Sequence, residues 1–273
     1  MGTPRPGVGI SWSRELEPLL IDHPQQVDWV EFEPQTTWLV AHGQKPRAPM
    51  AVIDRLQRAP GRKLVHSVAA PVGGQQRPDA HHLALLRAAV REFGAPFASE
   101  HLSFNAIHGV CTGFFLPPRQ TDAQVRIIAD NIRRLQDALG VPVAIENGTN
   151  YLRPRSDEMH DGEFIASVAE LADCGLLLDL HNAYANAVNG RQPLTQMLAE
   201  LPLDRVWELH LAGAAGSDLR DVPDLCGRNW LGRGDHGAVP AARVARGGGA
   251  DPAQSDPSHQ RPSDPRDGAD SRR

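Results

Sequence analysis

The sequence predicts an α/β fold, a (β/α)-barrel of the TIM type, and two patterns predict it. Short apolar runs alternate with amphipathic helical stretches along the first 213 residues, each unit close to the ~30 residues of a βαβ unit. Five of those runs also end in an imidazole or carboxylate residue: Lys63-Leu64-Val65-His66, Phe97 to His101, Val143 to Asn147, Leu176 to Asn182 and Val206 to His210. Near-continuous Val/Ile/Leu runs are what strands buried on both faces require. In a closed parallel barrel the functional groups gather at the strands' C-terminal ends, so five such endings converge on one mouth.

Taken in order, Val8–Ser11 reads as a short first strand, followed by a helical stretch over 13–21 that Ser13 can cap and Pro24 stops. Val27–Glu33 alternates apolar and acidic residues as a second strand. Met50, Ile53 and Leu56 fall at helical spacing over 50–58. Lys63–Ala69 is the third strand, and 79–93 an amphipathic helix with Leu83, Leu86 and Val90 on one face. Pro96–Leu102 is the fourth strand. Thr121–Leu139 is the clearest helix: Thr121 caps it, Val125, Ile128, Ile132, Leu135 and Leu139 line one side, and Gly140 ends it. Val141–Asn147 is the fifth strand, and 161–172 a helix with Phe164, Ile165, Val168 and Leu171 inward. Leu176–Leu180 is the sixth strand, 193–201 a short helix and Arg205–Ala212 the seventh strand.

The pattern stops after Gly213. An eighth strand should follow, yet residues 244–273 hold one Val and no Leu, Ile, Met or aromatic residue. Such a segment cannot bury enough apolar surface to offset its ordering entropy. The expected organisation is therefore a barrel domain over 1–213, a degenerate closure over 214–243 and a disordered Gly/Pro/Arg-rich tail over 244–273, with the eighth strand missing or degenerate.

Composition narrows the function classes. The 273 residues suffice for one barrel, which takes about 250. A formal net charge of −5 gives no broad basic surface for nucleic acid. Three widely spaced cysteines, Cys111, Cys174 and Cys226, form neither a disulfide framework nor a thiolate zinc site. No signal-peptide core and no run near the ~18 apolar residues of a membrane span are present. A cytoplasmic protein without a membrane partner is the expectation.

The run endings carry the chemistry. His66 alone reads more readily as a hydrogen-bonded core histidine than as a ligand. Glu100-His101 and Glu146-Asn147 are harder to explain by packing, because ionisable groups behind a buried strand are costly unless paired or bound to a cation. Asp179, His181 and Asn182 follow three leucines, and His210 closes the last run. Five core explanations at once are improbable. Mixed imidazole and carboxylate donors suit Zn, Fe or Mn. More than four ligands imply more than one ion, with Glu146 the natural bridge. Glu31 and Glu33 read as supporting groups or as charges at the barrel's other end, not as ligands. His42, His81, His82, His108 and His160 fall in loops or on helix faces and are expected to be exposed.

The phrases His66-Ser67-Val68, Ser99-Glu100-His101-Leu102-Ser103, Ile145-Glu146-Asn147, Leu177 through Asn186 and Glu208-Leu209-His210-Leu211-Ala212-Gly213 resemble the MbnB/TglH-type multinuclear non-haem iron family, over about residues 7–213. The resemblance implies a xylose-isomerase-like barrel holding two or three irons. It implies an O₂-dependent oxidoreductase that modifies cysteines of a ribosomally made precursor peptide, beside a small partner protein that presents the peptide. Carried over by motif, His66, His101, Glu146, Asp179 and His210 would ligate iron, with Glu146 and Asp179 central to catalysis. Asn182 or His181 would complete the shell, and Glu100 would orient a ligand from behind. The family continues with an Asp-x-His pair and a closing strand ending in Glu. Here Asp235 and His236 are adjacent and no such strand follows, which suggests a reading frame disrupted after about Gly213 and an impaired enzyme. The alternatives are an endonuclease-IV-like or isomerase-like divalent-metal barrel, or a truncated inactive relative.

Overall fold

The structure is a computed structural model that describes residues 7–42, 44–75, 78, 80–107 and 110–211. Seven parallel strands form one sheet: β1 (Gly9–Ser11), β2 (Trp29–Phe32), β3 (Arg62–Ser67), β4 (Ala98–His101), β7 (Val143–Glu146), β8 (Gly175–Asp179) and β9 (Val206–His210), in that spatial order. Each is one of the seven strands read from the sequence, one to three residues shorter at most ends. The strands are sequential neighbours with helical crossovers, as in a barrel. Among the described residues β1 and β9 each pair with a single strand, so the sheet is a curled, open part-barrel. The expected closure over 214–243, the tail over 244–273 and the Asp235–His236 pair lie outside the described residues.

Alternation along the strands sorts two layers. Phe32, Val65, Ala98, Val143, Ile145, Leu176 and Leu178 face the helices. Trp29, Leu64, Phe97, Ala144 and Leu177, with Trp207 against them, fill the concave side. The helical layer comprises α3 (Met50–Arg58), α4 (Ala80–Phe93), α5 (Asp122–Leu139), α6 (Asp161–Ala172) and α8 (Leu194–Glu200), preceded by short α1 (Glu17–Asp22) and α2 (Pro34–Thr37). In α5 the Thr121 hydroxyl accepts from the Gln124 N–H and Gly140 adopts φ 77° at the C-terminus, as the sequence indicated. All five residues of its predicted stripe are buried.

Three local expectations are corrected, and one element is added. Ser13 does not cap α1, whose N-cap is Leu16 with no side-chain bond. Leu171 is 43 % exposed, because Phe164, Val168, Ala169 and Ala172 define the buried face of α6. Between β4 and α5, where the sequence shows no clear period, β5 (Phe104–Ile107) and β6 (Val110–Leu116) pair as an antiparallel hairpin. Leu180 is not strand but the first residue of α7 (Leu180–Val188), which starts directly from β8 because the Asp179 carboxylate accepts from the Asn182 N–H at 2.7 Å. Among the described residues no helix is long and apolar enough to cross a membrane.

Candidate metal centre

Parallel strands deliver their endings to one rim. His66 is the penultimate residue of β3, and His101, Glu146, Asp179 and His210 end β4, β7, β8 and β9. Three groups of ligand-type atoms result, each within 4.8 Å: His66, His101 and Glu146; Glu146, Asp179 and His210; and Glu31, Glu208 and His210. Glu146 and His210 each belong to two groups, so the three are contiguous.

The first group has the clearest geometry. His66 Nε2 lies 3.3 Å and His101 Nε2 3.2 Å from Glu146 Oε2. That oxygen is buried yet has no aligned hydrogen-bond donor. Each ring is fixed from its far side: His66 Nδ1 meets Ser99 Oγ at 2.8 Å and His101 Nδ1 meets Glu100 Oε1 at 3.3 Å. Glu100 is wholly buried and accepts from the Ser67 hydroxyl, the Ala70 N–H and the His101 N–H. Gln35 of α2 donates to the same Ser67 hydroxyl at 2.7 Å. Imidazoles held at one nitrogen and converging at the other on an orphaned carboxylate oxygen match a cation site, since metal-bound histidines are oriented through their second nitrogen.

At the other side of the mouth His210 Nε2 meets Glu31 Oε2 at 2.7 Å and Glu208 Oε1 at 3.8 Å. Sequence reading set Glu31 aside and did not single out Glu208. Trp29 and Glu31 share strand parity, a signal that would have found Glu31. Glu208 was not readable: a register shift in the β8–β9 pairing lets both Trp207 and Glu208 serve the concave side. Glu208 Oε2 is a second buried oxygen without a partner.

Electrostatics follow from crowding ionisable groups in a dry site. Burial pushes the Glu146 carboxyl up to about 7, against the attraction of His101 and His210. Burial likewise pushes Glu208 up to about 7. It pushes the His66 imidazole down to about 3, with Glu31 opposing and His101 and His210 adding to the fall. For Glu31 burial is the largest influence and acts upward, but the hydrogen bond from His210, the nearby His66 and the Glu208 hydrogen bond together outweigh it and hold the carboxyl at about 2. For His210 burial acts downward, and the adjacent Glu208 and Glu31 carboxylates override it, to about 11. His101 is also raised, since Glu100 and Glu146 outweigh its burial. The net result is a buried lattice of imidazole–carboxylate contacts centred on Glu146 and His210.

Other candidates fall nearby or apart. Asn182 donates through Nδ2 to Glu146 Oε1 at 3.4 Å and to the Asn147 carbonyl at 3.0 Å, while its Oδ1 accepts from Thr149. His181 is half-buried on the first turn of α7 and joins none of the three groups. Glu33 is half-buried, and burial with the Glu31 charge raises its pKa. His81 and His82 are half-buried rather than exposed: His81 Nε2 meets the Pro46 carbonyl at 2.6 Å and His82 packs edge-on against Trp38. His108 lies outside the described residues. Phe115 of β6 stacks on His101, ring centroids 4.3 Å apart. A separate cavity of about 500 Å³ among Trp29, Arg62, Lys63 and Glu92 opens at the strands' N-terminal ends, away from this chemistry.

The family described as RiPP precursor modification enzyme MbnB/TglH/ChrH matches residues 7–225. The chain belongs to this family. A UPF0276 protein of Chromobacterium violaceum is 34 % identical over 193 residues, 70 % of each chain. A second, from Anaeromyxobacter sp. (strain Fw109-5), is 32 % identical over 207 residues, 76 % of this chain and 70 % of its own. Among solved structures, the chain is similar to the E. coli 3-keto-D-glucoside 4-epimerase YcjR (TM-score 0.48, 11 % identity, 76 % of this chain and 78 % of that one). Endonuclease IV of Thermus thermophilus aligns with TM-score 0.46 and 15 % identity, over 76 % of each chain. Among the described residues, the seven sequential parallel strands with helical crossovers are the (β/α) arrangement expected from the sequence.

Proposed function

We propose that this chain is a metal-dependent enzyme that modifies cysteine residues of a ribosomally synthesised precursor peptide, using two or three iron ions and O₂. The observation that carries the reading is the convergence of His66 Nε2, His101 Nε2 and an orphaned buried oxygen of Glu146 at the strand-end rim. Membership in a family of precursor-peptide modification enzymes supplies the substrate class. His66, His101, Glu146, Asp179 and His210 are the ligands in this reading, with Asn182 completing the shell once its Oδ1 leaves Thr149. Glu146 belongs to two of the groups and would serve cations in both.

Bound iron would supply redox chemistry with O₂. The chain's own part is to place and shield it. Glu100 fixes the His101 ring through its Nδ1 and backbone N–H, and Ser99 fixes His66. Phe115 keeps bulk water from one side of His101. Glu146 and Glu208, whose carboxyls burial raises to about 7, would give up any proton they hold when a cation enters. A small partner protein that presents the peptide completes the scheme.

Elemental analysis of anaerobically purified protein, with O₂ uptake in the presence of a cysteine-bearing precursor peptide, tests the proposal. Iron that is lost in His66→Ala and Glu146→Ala, with turnover that needs O₂, supports it. Stoichiometric zinc or manganese with phosphodiester cleavage or sugar isomerisation replaces it with another barrel enzyme. Protein whose metal content is the same in both variants ends the ligand assignment and leaves an inactive relative.

A further inference from the structure

Four asparagines join the ends of β7 and β8 and the length of α7. Asn147 and Asp179 form a reciprocal pair: Asn147 Nδ2 donates to the Asp179 carbonyl and Asn147 Oδ1 accepts from the Asp179 N–H, each at 2.9 Å. Asn182 and Asn186 on α7, with Asn189 at its C-cap, recur at helical spacing and face the segment that leaves β7. Asn182 Nδ2 donates to the Asn147 carbonyl at 3.0 Å and Asn186 Nδ2 to the Gly148 carbonyl at 3.0 Å. Asn186 Oδ1 accepts from the Asn150 N–H at 2.6 Å, and Asn189 Nδ2 reaches the Asn150 carbonyl at 3.4 Å. Asn186 is 3 % exposed.

We propose that this asparagine ladder is the positioning device for the two carboxylates Glu146 and Asp179, with Asn186 as its central positioning residue. Each carboxylate ends a strand and is followed at once by ladder contacts. Without them, residues 148–150 have exposed backbone groups, no regular structure and no reason to hold Glu146 in one place. An amide side chain serves a carbonyl and an N–H together through two separate atoms, which neither a single hydroxyl oxygen nor a carboxylate does at neutral pH. Asn186 uses both functions on two backbone groups two residues apart, so it sets the path of the segment as well as its distance. Asp179 is fixed twice more, by Asn147 and by its cap on Asn182. The ladder therefore makes β7, the 147–150 segment, β8 and α7 one unit, which fixes the separation between the Glu146 and Asp179 carboxylates. This inference rests on the reading of Glu146 and Asp179 as metal ligands.

The test is Co(II) titration of the chelator-treated full-length protein, followed by its visible absorption bands, with thermal unfolding measured in parallel. Outer partners of metal ligands are typically worth about 10–100-fold in affinity. Asn186→Ala is expected to weaken Co(II) binding by about 10-fold or more and to change the band shape. Asn186→Asp, which keeps the acceptor for the Asn150 N–H, is expected to recover part of both. Should Asn186→Ala not fold, Asn189→Ala at the end of α7 takes its place, with an expected weakening of a few fold, on the order of the lower end of that range. Wild-type affinity and spectrum in the folded variant, whatever its melting temperature, would overturn the ladder's role. Glu146→Ala separates the two levels: if it too leaves Co(II) binding unchanged, the ligand reading fails and the ladder with it. If Glu146→Ala abolishes binding while Asn186→Ala does not alter it, the ladder alone fails.

Discussion

Glu31 on β2 and His210 on β9 stand 179 positions apart and meet at 2.7 Å across the concave face. The pair ties the two halves of a sheet that the described strands do not close, and its charges are strongly biased toward the ion pair. His210 is raised from 6.5 to about 11, so its stabilisation is full below 6.5 and is lost as pH climbs through the folded value. Glu31 is lowered from 4.5 to about 2, so its share is full above 4.5 and lost as pH falls toward 2. In chelator-treated protein the difference in melting temperature between wild type and Glu31→Gln is therefore expected to peak between pH 4.5 and 6.5. A difference that stays constant from pH 4 to 10 would contradict it.

Glu146 behaves in the opposite sense. Its folded pKa, about 7, lies above the ordinary 4.5, so folding favours the neutral acid. Stability is lost as pH rises through that interval, when a poorly compensated carboxylate is left in the interior. A cation removes this cost, and it needs the ionised form. The rise in melting temperature on adding Co(II) to chelator-treated protein is expected to be larger at pH 8 than at pH 6. Equal increments at the two values would refute the role of Glu146.

Much of this architecture was legible because strand burial and strand-end chemistry coincide in the sequence. Leu176-Leu177-Leu178-Asp179 announces both a buried strand and its polar terminus, and Val143-Ala144-Ile145-Glu146 does the same. What escaped reading lacked such coincidence. Phe104–Leu116 mixes apolar residues with Asn, Thr and Gly and has a register shift within its pairing, so no period of two stands out. The α7 start was hidden because Leu180 prolongs an apolar run. Asp179, three residues before Asn182, was the capping signal that marked it. Glu208 reached the site through an irregularity in backbone pairing that no side-chain pattern encodes.

The Arg191–Asp161 pair fastens the first residue of α6 to the segment that follows α7. The two side chains are 2 % and 4 % exposed, and Asp161 also accepts from Gln120 Nε2 at 2.6 Å. Removing one partner leaves a buried uncompensated charge, which costs about 3–5 kcal/mol. Arg191→Met is expected to lower unfolding free energy by an amount on that order, read from urea denaturation. Asp161→Asn combined with Arg191→Met should regain part of the loss, because no charge then remains unpaired. A single variant within about 0.5 kcal/mol of wild type, as for ordinary surface positions, would show the pair to be dispensable.

Gly175 opens β8 opposite Ala144, and the Trp207 ring lies flat over it. A Cβ at Gly175 would stand 2.2 Å from ring atoms of Trp207, closer than any real contact. The indole is itself wedged against Phe97, ring centroids 5.5 Å apart, so it cannot simply turn aside. Gly175→Ala should therefore displace the β9 backbone at the residue next to Glu208 and three before His210. Overpacking of this kind costs about 1–3 kcal/mol. The same displacement should weaken cation binding at His210, which a purely local clash would not. Trp207→Leu in the Gly175→Ala background makes room for the methyl group and is expected to restore much of the Co(II) affinity. Gly94→Ala is the control: nothing lies within 4 Å of its Cβ, its φ of 59° carries the only strain, and Co(II) binding should be untouched. Normal cation affinity in Gly175→Ala would mean that β9 positions His210 independently of the Trp207 wedge.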